Sequence, residues 1–168
     1  MNTLQKKPTK RGFTLIEILI VIGIIAILAA IVLVAINPAR QFAQANNTQR
    51  TSNANAILNA IGQYAVDNRG DISALNLADD GDPAGDKVIR DTEVDICDIL
   101  VPTYMPSFPT DPESAEEGAG IPEEDCDTEA YNTEYSVHVD GDGRVTVFAP
   151  NTQDVDDSGT TPDISVTR

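Results

Sequence analysis

The chain has 168 residues and a formal net charge of −16, which predicts one small domain with a strongly acidic surface. Its basic leader ahead of Phe13 has no acidic residue and four cationic residues, Lys6, Lys7, Lys10 and Arg11. Residues 13–168 therefore carry a formal net charge of −20. Such a surface repels phosphate groups, which argues against direct binding of nucleic acid or of anionic lipid headgroups. The same acidity also fits a saline habitat or cation binding.

A long apolar segment follows the leader. Residues 13–36 contain only Thr14, Glu17 and Gly23 as interruptions of an otherwise hydrocarbon run, and as a helix they would be roughly 36 Å long. A secretory signal peptide has a shorter apolar core with a small-residue cleavage site after it, so this segment is predicted to cross a membrane. The basic flank predicts a cytoplasmic N-terminus, with everything after Ile36 outside.

The stretch "KRGFTLIEILIVIGIIAILAAI" resembles the class III signal of type IV pilins and of type II secretion pseudopilins. The resemblance combines the basic leader, Gly12 before Phe13, and Glu17 as the fifth residue counted from Phe13. Two later stretches are similar more loosely. "NNTQRTSNANAILNAIGQYAVDNRG" looks like the second half of the family's long helix, and "LVPTYMPSFPTDP" looks like the Pro-rich stretch that precedes its sheet.

The resemblance implies a processing step. In the family a membrane-embedded prepilin peptidase cuts after the glycine and methylates the new N-terminus, which maps onto the bond between Gly12 and Phe13 and onto the amine of Phe13. Glycine suits the position before the cut because a residue without Cβ allows a protease close access to the backbone.

Glu17 is the one acid in the apolar segment, and it needs an explanation. An ionised acid near the centre of a membrane helix costs about 2.5–3.5 kcal/mol unless it is paired. Phe13 and Glu17 are four residues apart, on one face of a helix, so the amine freed by cleavage could pair with Glu17 in the same chain or in a neighbour. The resemblance favours a neighbour in a filament. The competing interpretation is a Glu near the helix end that reaches the headgroups.

Helical periodicity continues beyond the apolar segment. Residues 54–65 carry an apolar stripe that needs a sheet to cover it, and the opposite face is polar. The stripe consists of Ala54, Ile57, Leu58, Ile61, Tyr64 and Ala65, and the polar face of Asn55, Asn59, Gln63 and Asp67. Pro38 predicts a kink or break between the two halves. Gly70 is the expected C′ residue of a helix ending at residues 68–70.

Polar loops and two cysteines follow. The stretches 79–86 and 112–125 are predicted to be solvated connectors, whereas 87–104 could form a short helix or a strand. Cys97 and Cys126 lie on the exported side of the predicted membrane segment and are expected to form a disulfide that contributes roughly 3–4 kcal/mol. A metal site is the weaker interpretation, because two thiols without a nearby His do not complete a zinc set.

A β-hairpin is predicted over residues 133–150. Tyr135, Val137 and Val139 alternate with polar residues, as do Val145 and Val147 after them. A three-residue loop at 141–143 would pair Val139 with Val145 and turn both apolar sets towards the helix stripe. Residues 164–166 are a candidate last strand.

The hairpin also places the only histidine, His138, on the face opposite the apolar set. A solvated or edge role is expected for it. The sequence offers no Ser–His–Asp, metal-hydrolase or glycine-rich phosphate arrangement around it, which indicates a protein that is not an enzyme.

The stretch "DVDDSGTTPD" at 154–163 resembles the first half of a calcium loop. Asp154, Asp156 and Ser158 occupy alternate positions, and Gly159 would allow the sharp turn, but Ser165 stands where a bidentate acid is expected. Secretion pseudopilins bind calcium near this part of the sheet, which raises the odds of a calcium site. A solvated acidic loop is the other interpretation, and the partial match favours it.

These observations predict an α+β, pilin-like subunit. Its parts are a leader (1–12), a transmembrane helix (13–36), an amphipathic second half (37–69) and an acidic exported head with a C-terminal antiparallel sheet (70–168). The first hypothesis is a structural subunit of a type IV pilus, and the second is a pseudopilin of a type II secretion system. A third, from another class, is a membrane-anchored calcium-binding or adhesive domain that never polymerises.

The first two hypotheses share their partners and their location. The partners are the prepilin peptidase, other pilin subunits and an assembly machinery in the inner membrane, and no cofactor is expected apart from the calcium considered above. The predicted location is the inner membrane before assembly and a surface filament or periplasmic pseudopilus afterwards.

Overall fold

The structure is a computed structural model that describes residues 12–35, 37–77, 87–114, 120–126, 130–156 and 158–168. The chain forms two compact units, Met1–Pro38 and Ala39–Arg168. The basic leader up to Arg11 and the loop at 79–86 lie outside the described residues. The predicted domain boundary between residues 12 and 13 therefore stays a prediction.

The first unit is built around helix α1, which spans Leu15–Ala35. Its segment Leu15–Leu33 is long and apolar enough to cross a membrane. The large apolar side chains described along it, from Leu15 to Leu33, are each more than half exposed, and a surface of this kind needs lipid or other apolar helices to cover it. The helix begins two residues later than the predicted start at residue 13, because Thr14 caps it.

The second helix, α2, spans Pro38–Asp67. Proline suits the first helical position because its missing N–H would have no partner within the helix and its φ is already near the helical value. The predicted interruption at Pro38 is confirmed, since α1 ends at Ala35 and α2 begins at Pro38.

The C-terminus of α2 is closed by a Schellman cap. The N–H of Gly70 donates to the carbonyl of Ala65 at 2.7 Å, and the N–H of Arg69 donates to that of Val66 at 3.3 Å. This pattern makes Arg69, at φ 59°, the C′ residue. The predicted end of the helix is confirmed within a few residues, but the assignment of C′ to Gly70 was wrong. Gly70, at φ 88°, instead takes the next position, C″, because its N–H bonds to the carbonyl five residues back, whereas that of Arg69 bonds to the carbonyl three residues back.

The second unit holds a four-stranded antiparallel sheet whose strands lie in chain order. The strands are β1 (Lys87–Arg90), β2 (Asn132–Val139), β3 (Val145–Phe148) and β4 (Ser165–Thr167). The segment 87–104 supplies both structures that the sequence left open, since it contains β1 and also a short helix, α3 (Cys97–Leu100). The sheet is thus not wholly C-terminal, because β1 joins it from before the Pro-rich stretch.

The predicted hairpin is confirmed in register. Val139 pairs with Val145, and Val137 pairs with Val147. The N–H of Asp140 donates to the carbonyl of Arg144 at 2.9 Å, which leaves residues 141–143 as a three-residue loop. Gly143 closes this loop at φ 80°, a conformation that favours glycine.

The hydrophobic core lies between α2 and the sheet. Four residues of the predicted stripe are buried in one cluster with the inward side chains of β2 and β3, while Tyr64 packs at its edge against Tyr104 with ring centroids 5.7 Å apart. The buried stripe residues are Ala54, Ile57, Leu58 and Ile61. The predicted polar face of α2 is exposed. The architecture is therefore α+β and pilin-like, with a long apolar N-terminal helix and a small antiparallel sheet.

Candidate functional site

The predicted cleavage site lies just ahead of α1. Gly12 and Phe13 are exposed and belong to no helix or strand, and the Phe13 side chain is 85% exposed. A Cβ added at Gly12 would meet no atom within 4 Å, so the fold itself does not require glycine there. A glycine that folding does not need fits a role in recognition by a processing enzyme.

Glu17 and Thr14 form a reciprocal cap at the start of α1. The backbone N–H of Thr14 donates to Glu17 Oε2 at 2.8 Å, and the Thr14 hydroxyl donates to the same oxygen at 2.9 Å. In return, the backbone N–H of Glu17 donates to Thr14 Oγ1 at 3.3 Å. This is the capping box that Thr-x-x-Glu forms at a helix N-terminus, where a carboxylate also favours the positive end of the helix dipole.

The cap changes the expected geometry of Glu17. The expectation that Phe13 and Glu17 lie one helical turn apart on one face was wrong, because α1 begins at Leu15 and Phe13 precedes its cap. The helical spacing therefore gives no support to pairing within one chain. The Thr-x-x-Glu pattern was readable in the sequence and was missed because Glu17 was considered only as a charge in a membrane.

The two cysteines are joined in a disulfide, as predicted. It links α3 to a second short helix, α4 (Glu123–Cys126), with Cα atoms 5.4 Å apart. Both cysteines are buried in the core. The bond therefore closes the segment that contains the Pro-rich stretch into a loop.

The predicted calcium loop uses its own carboxylates to shape a turn. Asp154 accepts the backbone N–H of Asp156 at 2.9 Å and that of Gly159 at 2.6 Å, and Asp156 accepts the N–H of Ser158 at 3.1 Å. The pKa of Asp156 lies below its usual value, chiefly because of the hydrogen bonds from Ser158, with a contribution from the charge of Arg40. Among the described residues, which leave out Asp157, no group of three or more His, Cys, Asp or Glu side chains is placed to hold a metal ion.

Calcium binding at this loop stays a prediction with a direct test. A ligand that binds the folded state raises the melting temperature, because it adds stability that grows with the logarithm of its concentration over its dissociation constant. Because the carboxylates already accept backbone donors, we expect millimolar calcium to leave wild type and the variant Asp154→Ala, Asp156→Ala with the same shift in melting temperature. A rise confined to wild type, measured by calorimetry, would instead establish the calcium site.

A buried ion cluster that the sequence analysis missed lies on α2. Arg50 is fully buried, and its guanidinium donates from Nε and Nη2 to the two carboxylate oxygens of Asp111 at 2.7 and 2.9 Å. Nη2 also donates to Glu113 Oε2 at 2.9 Å, and Nη1 donates to Asn47 Oδ1 at 3.0 Å. The Asp111 side chain is only 1% exposed. This bidentate ion pair fixes the Pro-rich stretch against the N-terminal half of α2.

The charge state of the cluster is set by opposing effects. Burial lowers the pKa of Arg50, but hydrogen bonds and charges from Asp111 and Glu113 outweigh burial, so its pKa lies above the usual value. Asn47 extends the network to the C-terminal region, because its Nδ2 donates to the carbonyl of Gln153 at 2.7 Å. The cluster therefore holds two loops that are distant in sequence, those of Asp111 and Gln153, against α2.

His138 is half-buried on β2, where its ring stacks on Phe148 with centroids 5.0 Å apart. Because β2 lies between β1 and β3, His138 is not on an edge strand, in contrast to the edge role considered from the sequence.

The chain matches a protein-family model described as the prokaryotic N-terminal methylation motif over residues 7–33. This motif is the prepilin-type signal of type IV pilins and pseudopilins, and it spans Gly12, Phe13, Thr14 and Glu17. Comparisons with curated proteins and with solved structures give no match.

Proposed function

From the prepilin-type signal at residues 7–33 we propose that the chain is a structural subunit of a type IV pilus-like filament. The signal is the observation that carries the proposal, and it supports a pilin-like or pseudopilin subunit in general. The exposed apolar surface of α1 supports it further, because a polymer of such helices covers that surface once the subunit leaves the membrane. A structural subunit of this kind is usually not an enzyme.

The proposed sequence of events begins in the inner membrane. A prepilin peptidase cuts between Gly12 and Phe13 and methylates the Phe13 amine, while α1 holds the subunit in the bilayer with its head outside. The assembly machinery then packs α1 against the helices of other pilin subunits. In the filament, Glu17 pairs with the Phe13 amine of a neighbouring subunit, which offsets the cost of burying that positive charge.

The experiment that tests this proposal is mass spectrometry of the chain recovered from cells. We expect a mature protein that begins at N-methylated Phe13 and lacks residues 1–12. The matched variant is Gly12→Val, which should accumulate at full length in the membrane, because a side chain at this position blocks the approach of the peptidase. Recovery of full-length wild-type chain at the surface would contradict the proposal and favour the membrane-anchored domain that never polymerises.

The pseudopilin of a type II secretion system remains the second candidate, because the same signal serves both systems. The two differ in the assembly that contains the chain. Electron microscopy with an antibody against the head should show long surface fibres for a pilus. A short periplasmic assembly, together with loss of exported enzymes when the chain is deleted, would favour the secretion system.

A further inference from the structure

The exposed face of α2 carries a continuous stripe of uncharged residues. Its members recur every three or four residues over seven turns, and all of them are exposed. We call this set the neutral stripe, and it consists of Gln41, Ala45, Thr48, Ser52, Asn55, Asn59, Gln63 and Val66. A helix face that meets water carries charged or polar residues, and the members of this stripe carry no charge.

The neutral stripe contrasts with the rest of the second unit. Between residues 41 and 66 the sequence has a single charged residue, Arg50, and that side chain is buried against Asp111. Apart from Glu17 and Asp67, every one of the 27 acidic residues lies beyond residue 70. The carboxylates of the second unit therefore begin at Asp67, the last residue of α2 and one turn after Gln63, and all the others lie beyond the helix.

This distribution identifies the kind of partner that the stripe fits. Two copies of an acidic head repel each other wherever the carboxylates of one copy face those of the other. Like charges opposed across an interface cost several kcal/mol. Contacts between copies are thus favoured on a surface without carboxylates, and depletion of charge is the compositional mark of the centre of protein interfaces. Val66, whose side chain is 79% exposed, adds apolar area at one end of the stripe.

The side chains of the stripe also suit a partner identical to themselves. Amides and hydroxyls both donate and accept hydrogen bonds. A face rich in them can therefore form hydrogen bonds with the same face of a second copy. Some of this capacity is used locally, since Asn55 Nδ2 donates to the carbonyl of Thr51 at 2.8 Å, but a primary amide has a second hydrogen and two acceptor lone pairs. The charge that borders the stripe at Asn59 is positive, because Arg168 Nη1 donates to Asn59 Oδ1 at 2.9 Å.

We propose that the neutral stripe is the surface through which the second units of neighbouring copies of this chain pack against each other. The proposal rests on the proposed function, since it places this contact in the filament. It identifies a contact surface outside the apolar helix α1. It also explains why residues 41–66 carry no charge on their exposed face: such charges would disfavour assembly.

The test adds one carboxylate at the stripe without changing the shape of the side chain. Asn55→Asp should lower the yield of sheared filaments by at least about tenfold at equal levels of processed subunit, because an unpaired carboxylate would enter the contact. Its control is Asn68→Asp. Asn68 also donates from Nδ2 to the carbonyl four residues back, at 2.9 Å, and is exposed, but it follows the end of α2 on the opposite side of the helix from the stripe. This control should assemble like wild type.

A second measurement reports the contact itself. The variant Ser52→Cys should react with a maleimide in detergent-solubilised subunits and be protected by about tenfold in intact filaments, whereas Thr160→Cys, among the acidic residues, should react equally in both. Equal labelling of Ser52→Cys in both states, or wild-type filament yield from Asn55→Asp, would overturn the stripe while leaving the filament function standing. A wild-type chain that forms no polymer would overturn both.

Discussion

Glu17→Gln should abolish or sharply reduce filament formation while leaving leader cleavage and membrane insertion unchanged. In the proposed filament, each subunit that joins would bring the positive amine of Phe13 into an apolar helical core, where the charge of Glu17 on a neighbour would offset it. Glutamine keeps the size of the side chain but removes that charge. We therefore expect the yield of sheared filaments to fall by at least about tenfold at equal membrane levels of processed subunit.

The capping box makes this substitution more informative than it was from sequence alone. Glutamine can replace glutamate in a capping box, so Glu17→Gln retains an acceptor for the Thr14 N–H and hydroxyl. If Glu17 served only to cap α1, the variant would assemble normally. A Glu that merely reached the headgroups would also be replaced without loss, since glutamine is cheaper to hold in lipid. Loss of assembly thus separates charge pairing from both other roles.

Thr14→Val is the matched control for this experiment. It removes the hydroxyl that accepts the Glu17 N–H but leaves the carboxylate in place. We expect a weaker start of α1 and filaments in near-normal yield. Wild-type yield from Glu17→Gln would refute the pairing role, and loss of filaments in Thr14→Val but not in Glu17→Gln would show that assembly depends on the cap and not on the charge.

The parts of the fold that could be predicted are those with a strict local period. The length of the apolar run in α1 and the alternation of apolar and polar residues around Val139 and Val145 are each compatible with one secondary structure. Only that structure covers the apolar side chains and also forms the backbone hydrogen bonds. The hairpin register followed because the loop at 141–143 holds Gly143 where a positive φ is required. The disulfide followed from there being two cysteines on the exported side.

The buried cluster could not be predicted, because its residues are polar on a face that is otherwise apolar. The buried face of α2 runs N-terminally from Ile61 and Ile57 to Ala54, and the same spacing continues to Arg50 and Asn47. Hydrophobic periodicity stops at Ala54, although burial does not. The partner Asp111 lies 61 residues away, in a Pro-rich stretch whose position depends on tertiary contacts. The readable signal was the single charge, Arg50, between residues 41 and 66.

Arg50→Met should strongly destabilise the second unit. Methionine fills a similar length but leaves the Asp111 carboxylate, 1% exposed, without its two guanidinium bonds. The backbone N–H of Glu113, which donates to Asp111 Oδ1 at 2.9 Å, would be the remaining hydrogen-bond donor to this carboxylate among the described residues. Because removing one partner leaves a buried charge uncompensated, we expect a loss of about 3–5 kcal/mol in the free energy of unfolding. Urea unfolding of the detergent-solubilised chain, followed by tyrosine fluorescence, measures it.

Two further variants show whether this loss comes from the unpaired charge. The double variant Arg50→Met, Asp111→Leu removes both charges and should recover most of the lost stability, since apolar residues of similar volume often replace a buried pair without penalty. Arg144→Met removes an arginine that also contacts two carboxylates, those of Asp140 and Asp142, but its side chain is 59% exposed, so the urea midpoint should stay near that of wild type. If Arg50→Met unfolded at the wild-type urea midpoint, or if the double variant were less stable than Arg50→Met alone, the Arg50–Asp111 pair would not be what stabilises the packing of the Pro-rich stretch on α2.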